Sequence, residues 1–324
     1  MSWAAAQKRI EAARKREERA ALKRQRELTR ILKEEAMLSA QEQARMEVEA
    51  FENSIEVLLS IHKEAGPSFD WLEVLCALPP HAPFNGDTAH YEKEREEFTK
   101  MRSLAKQVLA GEASAYTEVI REFSPLGELS TLGSSITLRV HTPKLIECDL
   151  LVNGRDVIPR EIKALTAAGS LSVKTMPKVR FHEIYQDYVC GCVLRVAREV
   201  FALLPVDTVI ITAKMNALEE STGDDVETPI LSVAVPRLTI GKLNFLKIDP
   251  SDSMKNFLHR GDVLAARKAQ GFVAIKPLVP AEVAECHPAQ FSLPDLLVSV
   301  RRMRSELLAE AKVPTFQSTN TKAS

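Results

Sequence analysis

Three side chains in the middle of this chain have the types and spacing for phosphodiester chemistry: Asp149, then Glu161 and Lys163. Two carboxylates that meet on one face can hold Mg²⁺ (or Mn²⁺), a hard cation that takes oxygen ligands and keeps several waters. A metal so held lowers the pKa of its bound water and neutralises charge on a phosphate. A lysine beside it can orient that water or stabilise the charge of the pentacovalent state.

The elements that would position these groups can be read from periodicity. A helix over 115–123 is closed by Pro125 and Gly127, and strands follow at 135–141, 145–152 and 157–165. The last two strands flank Asn153-Gly154, a strong short-range signal for a two-residue hairpin. Side chains alternate along a strand, which puts Glu161 and Lys163 on one face and Ile158 and Ile162 on the other. Across the predicted hairpin, Asp149 can converge on the first pair. A long helix over 181–204 repeats apolar residues every fourth position (Ile184, Tyr188, Cys192, Val196, Val200) and has a second apolar flank, so it is expected to press on the sheet. Gly191 within it is expected to admit a close neighbour. Further strands are expected at 208–213 and 230–235.

This element order, with Asp on the second strand and Glu-x-Lys on the third, resembles the PD-(D/E)XK nuclease superfamily over residues 115–215. The resemblance implies an α/β fold with a restriction-endonuclease-like mixed sheet flanked by helices. It also implies Asp149 and Glu161 as metal ligands and Lys163 as the catalytic lysine. Gln186 and Tyr188 stand where some recombination-type members carry Gln and Tyr. The chain departs from the family pattern at Cys148, where a proline would precede the aspartate. Pro159 falls inside the expected third strand, a position proline takes at edges and bulges. Separately, 158–163 and 185–190, with the region 54–64, resemble a family of uncharacterised bacterial proteins that supplies no activity. Together these resemblances imply a bacterial metal-dependent nuclease acting on DNA or RNA, with antiviral defence as a role. The alternative is a non-catalytic nucleic-acid-binding or assembly module that uses the same fold.

By itself, Glu-x-Lys is more often a charged pair on a solvated sheet face, and it recurs at Glu310 and Lys312. Local charge bears on the choice. Residues 155–198 hold eight basic against four acidic side chains. Lys174, Lys178 and Arg180, with Gln186, are the candidate contacts to nucleic acid, since clustered Lys and Arg bind phosphate backbones. Solvated loop charge is the equal alternative for 174–180. No P-loop and no G-x-S-x-G elbow occurs.

The whole chain is near neutral, with 43 Lys and Arg against 44 Asp and Glu, so net charge selects no partner. Its 45% hydrophobic and 27% charged content is ordinary for a folded protein. No run is apolar enough to span a membrane, no signal-peptide core opens the chain, and the cysteines make no C-x-x-C pair, so a cytoplasmic protein is expected. Residues 1–64 read as one long charged helix rich in strong helix formers. Its apolar seam is too broken for a sustained coiled coil, and it is a candidate for partner binding or self-association. Phe51, Ile55, Leu58, Leu59 and Ile61 give its second half an apolar stripe that must dock. Residues 65–113 are expected to be a helical linker region, 114–278 the α/β domain, and 279–324 a helix capped by Ser292 and Asp295 with a polar tail.

Overall fold

The computed structural model describes residues 24–25, 40–81, 88–128, 132–218, 223–263 and 271–286. Most of the basic half of the N-terminal helix and the helix expected beyond Ser292 lie outside these residues. Helix α1 (Ala40–Ser60) is free of Gly and Pro and continues into a single 3₁₀ turn, Ile61–Lys63. Its stripe docks as expected: Leu58 and Ile61 are buried, while Phe51, Ile55 and Leu59 pack against the core from its margin.

Gly66-Pro67 ends that segment, and helix α2 (Trp71–Cys76) begins at an Asp70 cap whose carboxylate accepts from the backbone N–H of Leu72 and Glu73. Trp71 points inward, and its indole N–H donates to the Leu203 carbonyl at 2.5 Å. Helix α3 (Thr88–Ala110) stops at Gly111, whose φ of +78° is the left-handed conformation that terminates helices. Helix α4 (Ala113–Phe123) follows.

Strands β1 (Gly133–Thr142) and β2 (Leu145–Val152) form an antiparallel hairpin about Pro143-Lys144. Two short strands, β3 (Glu161–Leu165) and β4 (Leu171–Thr175), come next, then helix α5 (Lys178–Leu203). The remaining elements are β5 (Thr208–Leu218), β6 (Asp225–Pro236), α6 (Arg237–Ile240), α7 (Pro250–Ser253), β7 (Leu258–Arg260) and α8 (Pro280–Cys286). The main sheet is mixed, in the order β1-β2-β5-β6-β7, with only β2 and β5 parallel.

The expected third strand is corrected in both extent and partner. It begins at Glu161 rather than Val157, and it pairs with β4 in a separate two-stranded sheet. Asn153-Gly154 does not make a hairpin. A type I′ turn needs φ above zero at both central residues, whereas Gly154 has φ −64° and leads into a 3₁₀ turn at Arg155–Val157. Pro159, which has no N–H to give a ladder, lies in this connector rather than in a strand.

Helix α5 is the centre of the molecule. On the sheet, Ile146, Cys148, Leu150, Val209, Ile211 and Ala213 are fully buried in the core that also takes in α5. Elsewhere α5 contacts α1, the Ile61–Lys63 turn and α7. One continuous apolar core therefore includes Trp71 and Val108 as well as the sheet. At the C-terminal end of α5, Arg237 donates to the carbonyls of Phe201, Leu204 and Val206, which answers acceptors a helix end leaves open.

The neighbour of Gly191 is His62, whose atoms lie 3.9 Å from where a Cβ would stand. That is ordinary contact, so this glycine is not demanded by close approach. His62 is 2% exposed, and neither ring nitrogen has a hydrogen-bond partner among the described residues. Burial, with Lys63 and Arg198 nearby, pushes its pKa down to about 4, against a smaller opposing pull from Asp249. The neutral ring is the folded form. In the unfolded chain the ring takes a proton near its ordinary pKa, so stability is full above about pH 6.5 and falls as pH drops toward 4. Urea unfolding midpoints measured from pH 7 to pH 4 should show this loss, worth up to about 3 kcal/mol. His62→Leu should flatten that pH dependence, and an unchanged slope in the variant would assign the effect to other groups.

Candidate functional site

The residues singled out in the sequence fall on three separate parts of the fold. Asp149 stands on β2 with its side chain on the face turned away from α5, alternating with buried Cys148 and Leu150. Arg139 of β1 donates to Asp149 at 2.9 Å, and Lys214 of β5 donates to the same carboxylate oxygen at 3.0 Å. Glu147, two residues earlier on the same face, takes Arg139 at 3.3 Å and His141 at 2.7 Å. Lys214 is also 3.6 Å from Glu227 of β6. The result is a chain of alternating charge across β1, β2, β5 and β6, in which Asp149 is only 12% exposed. Beside it, Thr212 and Ser232 share a buried hydroxyl contact of 2.9 Å.

Glu161 and Lys163 lie on the β3–β4 hairpin, outside that sheet. Glu161 is exposed, opposite Thr175. Lys163, opposite Val173, donates to Glu47 of α1 at 2.7 Å, which ties the hairpin to the N-terminal helix. Strands β2 and β3 share no pairing, so the route by which Asp149 was expected to reach Glu161, across a common hairpin, does not exist in this fold.

Asp149 and Glu161 stand on strands of different sheets, so strand pairing does not bring the two carboxylates to one Mg²⁺ seat. One carboxylate is bridged by two cations in the five-stranded sheet, and the other projects from a different sheet. Among the described residues, no three His, Cys, Asp or Glu side chains are grouped so as to hold a metal ion.

The third part is the surface where β4 meets the start of α5. Lys174, Lys178 and Arg180 are all exposed, as is Arg160, whose carbonyl accepts from the Met176 N–H. Arg160, Lys174 and Lys178 have no side-chain hydrogen bond or ion pair among the described residues, and Arg180 has a loose contact of 3.5 Å with Glu183. No acidic residue occupies the first turn of α5. Apolar side chains are interleaved with the cations: Val173 is 46% exposed and Val179 is 51% exposed. Arg160 was missed as a candidate in the sequence because it fell inside an expected strand. Its place in a connector before Glu161 exposes it next to β4.

Gln186 does not belong to this surface. It is fully buried, and neither its amide nitrogen nor its oxygen has a partner among the described residues. Two neighbours on α5 show how such groups are normally satisfied. Tyr185 and Tyr188 stack at 6.0 Å, and their hydroxyls, whose ionisation burial opposes, donate to the carbonyls of Asn153 and Leu132. A buried amide without partners costs about 1–3 kcal/mol, and an apolar side chain of similar shape removes that cost. Gln186→Met is therefore expected to raise the unfolding free energy by about 1 kcal/mol or more in chemical denaturation; a loss of stability would mean that the amide is bonded in solution. Comparison with protein-family models, with curated proteins and with solved structures finds no match to this chain.

Proposed function

We propose that this protein binds nucleic acid through the surface formed by the β3–β4 hairpin and the first turns of α5. The observation that carries this reading is the exposed cluster Arg160, Lys174, Lys178 and Arg180, three of whose members have no carboxylate partner among the described residues. Cations without a carboxylate partner among the described residues can displace counterions from a phosphate backbone, and the entropy of counterion release drives such binding. Exposed Val173 and Val179 give the same surface apolar contact area beside the charges.

The reading is tested by fluorescence anisotropy with labelled single-stranded DNA, duplex DNA and RNA of about 20 nucleotides over a series of salt concentrations. Lys174→Ala, Lys178→Ala and Arg180→Ala combined should weaken binding by tenfold or more. On duplex, the slope of log K against log salt should become shallower by about 0.9 for each lost phosphate contact. Equal affinity and slope in wild type and the triple variant would overturn the proposal.

Cleavage of phosphodiester bonds with Mg²⁺ or Mn²⁺ is the second reading, and it rests on Asp149. That carboxylate shares the polar face of the sheet with Glu147 and has Lys214 beside it, an acid-and-lysine grouping of the kind such chemistry uses. Glu161 and Lys163, on the hairpin, are the positions that the family resemblance adds. In this reading, wild type degrades DNA or RNA only with divalent metal, while Asp149→Ala and Glu161→Ala lose about 100-fold or more in rate and keep their oligonucleotide affinity. If no substrate is cut with either metal while binding is intact, the protein is a binding module.

A further inference from the structure

The two edges of the main sheet are unlike. β7 is three residues long, and its Arg260 is tied to Glu282 and to the Pro277 carbonyl. β1 is ten residues long and pairs with β2 along one side. Along its other side, no strand pairs with it among the described residues. An open row of backbone donors and acceptors is a template for another strand, and proteins blunt such edges with lysine, proline or unpaired charge. β1 has neither Lys nor Pro. Its one constant charge, Arg139, is drawn toward Glu147 and Asp149 of its own neighbour. Ser135, Thr137, Arg139 and His141 are exposed, whereas Ile136, Leu138 and Val140 are only half-buried against the core.

We propose that this edge receives a second copy of the chain, β1 against β1, antiparallel about a two-fold axis perpendicular to the sheet. Such an axis keeps the apolar side of both strands on one side of the joined sheet. The side chains select a register. With Leu138 opposite its own copy, Ile136 meets Val140, Thr137 meets Arg139 and Ser135 meets His141. Apolar residues then face apolar ones, and no two like charges lie opposite each other. Centring on Arg139 would oppose two guanidinium groups. Centring on Thr137 would set Val140 against Ser134. The axis at Leu138 completes the half-buried apolar row of each copy with that of the other.

The proposal is independent of nucleic-acid binding and is tested on the full chain without ligand. Light scattering coupled to size exclusion at about 100 µM should give twice the 36.0 kDa chain mass. Thr137→Lys places a lysine opposite the Arg139 of the other copy on both sides of the axis, and should raise the dissociation constant at least tenfold with an unchanged circular dichroism spectrum. With Cys76 and Cys286 replaced by Ser, Leu138→Cys should form an interchain disulfide under mild oxidation, since residues on the axis lie about 5 Å apart between Cα atoms. Ile136→Cys, which faces Val140, should not link to itself. A single-chain mass for wild type, a two-chain mass retained in folded Thr137→Lys, or equal linking of the two cysteine variants would overturn the proposal.

Discussion

A helix buried on every side cannot send its polar side chains to water, so each one must be answered within the protein. Beyond its exposed first turn, helix α5 is close to that position: Gln186 goes unanswered among the described residues, and the answers that other polar groups find hold the segment 62–71 in place. Arg195 and Glu199, one turn apart and each 1% exposed, form an ion pair at 2.8 Å. Glu199 also accepts the Gly66 N–H at 2.7 Å, and a Cβ at Gly66 would stand 2.7 Å from the same carboxylate. Arg198 donates to the carbonyls of His62 and Glu64 and lies over the Phe245 ring. Further along, the Ala202 carbonyl accepts the Phe69 N–H, and that of Leu203 accepts the Trp71 indole. A buried ion pair seldom adds net stability, but losing one member leaves the other uncompensated at a cost of about 3–5 kcal/mol. The segment 62–71 is thus stitched to the helix mostly by its own backbone, with His62 and Trp71 buried at its two ends.

That central helix also explains where the hairpin goes. β2 and β5 are parallel neighbours, and a parallel pair needs a crossover long enough to return the chain to its starting end. Here the crossover contains the connector at 153–160, the β3–β4 hairpin and α5. The place in the sheet beside β2 that a third meander strand would take is filled by β5. β3 therefore finds a partner in β4 and a support in α1, where Glu47 holds Lys163 and Ile162 packs on the core.

Much of this was legible in the sequence where one physical signal dominated. β2 has the predicted bounds because alternation of Ile146, Cys148, Leu150 and Val152 with polar or partly exposed neighbours runs unbroken through it. The Asn-Gly signal failed because a turn signal is local, whereas strand partners are chosen by the topology of the whole sheet. Pro159 was the contrary indication, and it was the more physical one, since a residue without an N–H cannot serve a ladder from the middle of a strand. β4 was hidden because the stretch from Lys174 to Arg180 read as loop charge. The exposed cations Lys174, Lys178 and Arg180 were readable because charge at that density seeks water. Gln186 was not, because α5 is apolar over most of its circumference and periodicity could not say which of its polar positions also point inward.

The polar face of the main sheet gives Asp149 a role that requires no substrate. In the β1–β2 register Arg139 lies opposite Glu147, and Asp149 lies opposite Thr137. Arg139 reaches one carboxylate directly and the other diagonally, while Lys214, two residues past the Thr212 that faces Asp149, closes in from β5. Cross-strand pairs of opposite charge at this spacing each contribute roughly 0.2–1 kcal/mol. Removing its charge would leave Arg139 and Lys214 facing each other uncompensated across β2. Sheet electrostatics thus gives a reason for an aspartate at this position that stands beside any chemical one. The cations of the β4–α5 surface have no comparable partner among the described residues, and that contrast is why the hairpin rather than the sheet carries the functional reading.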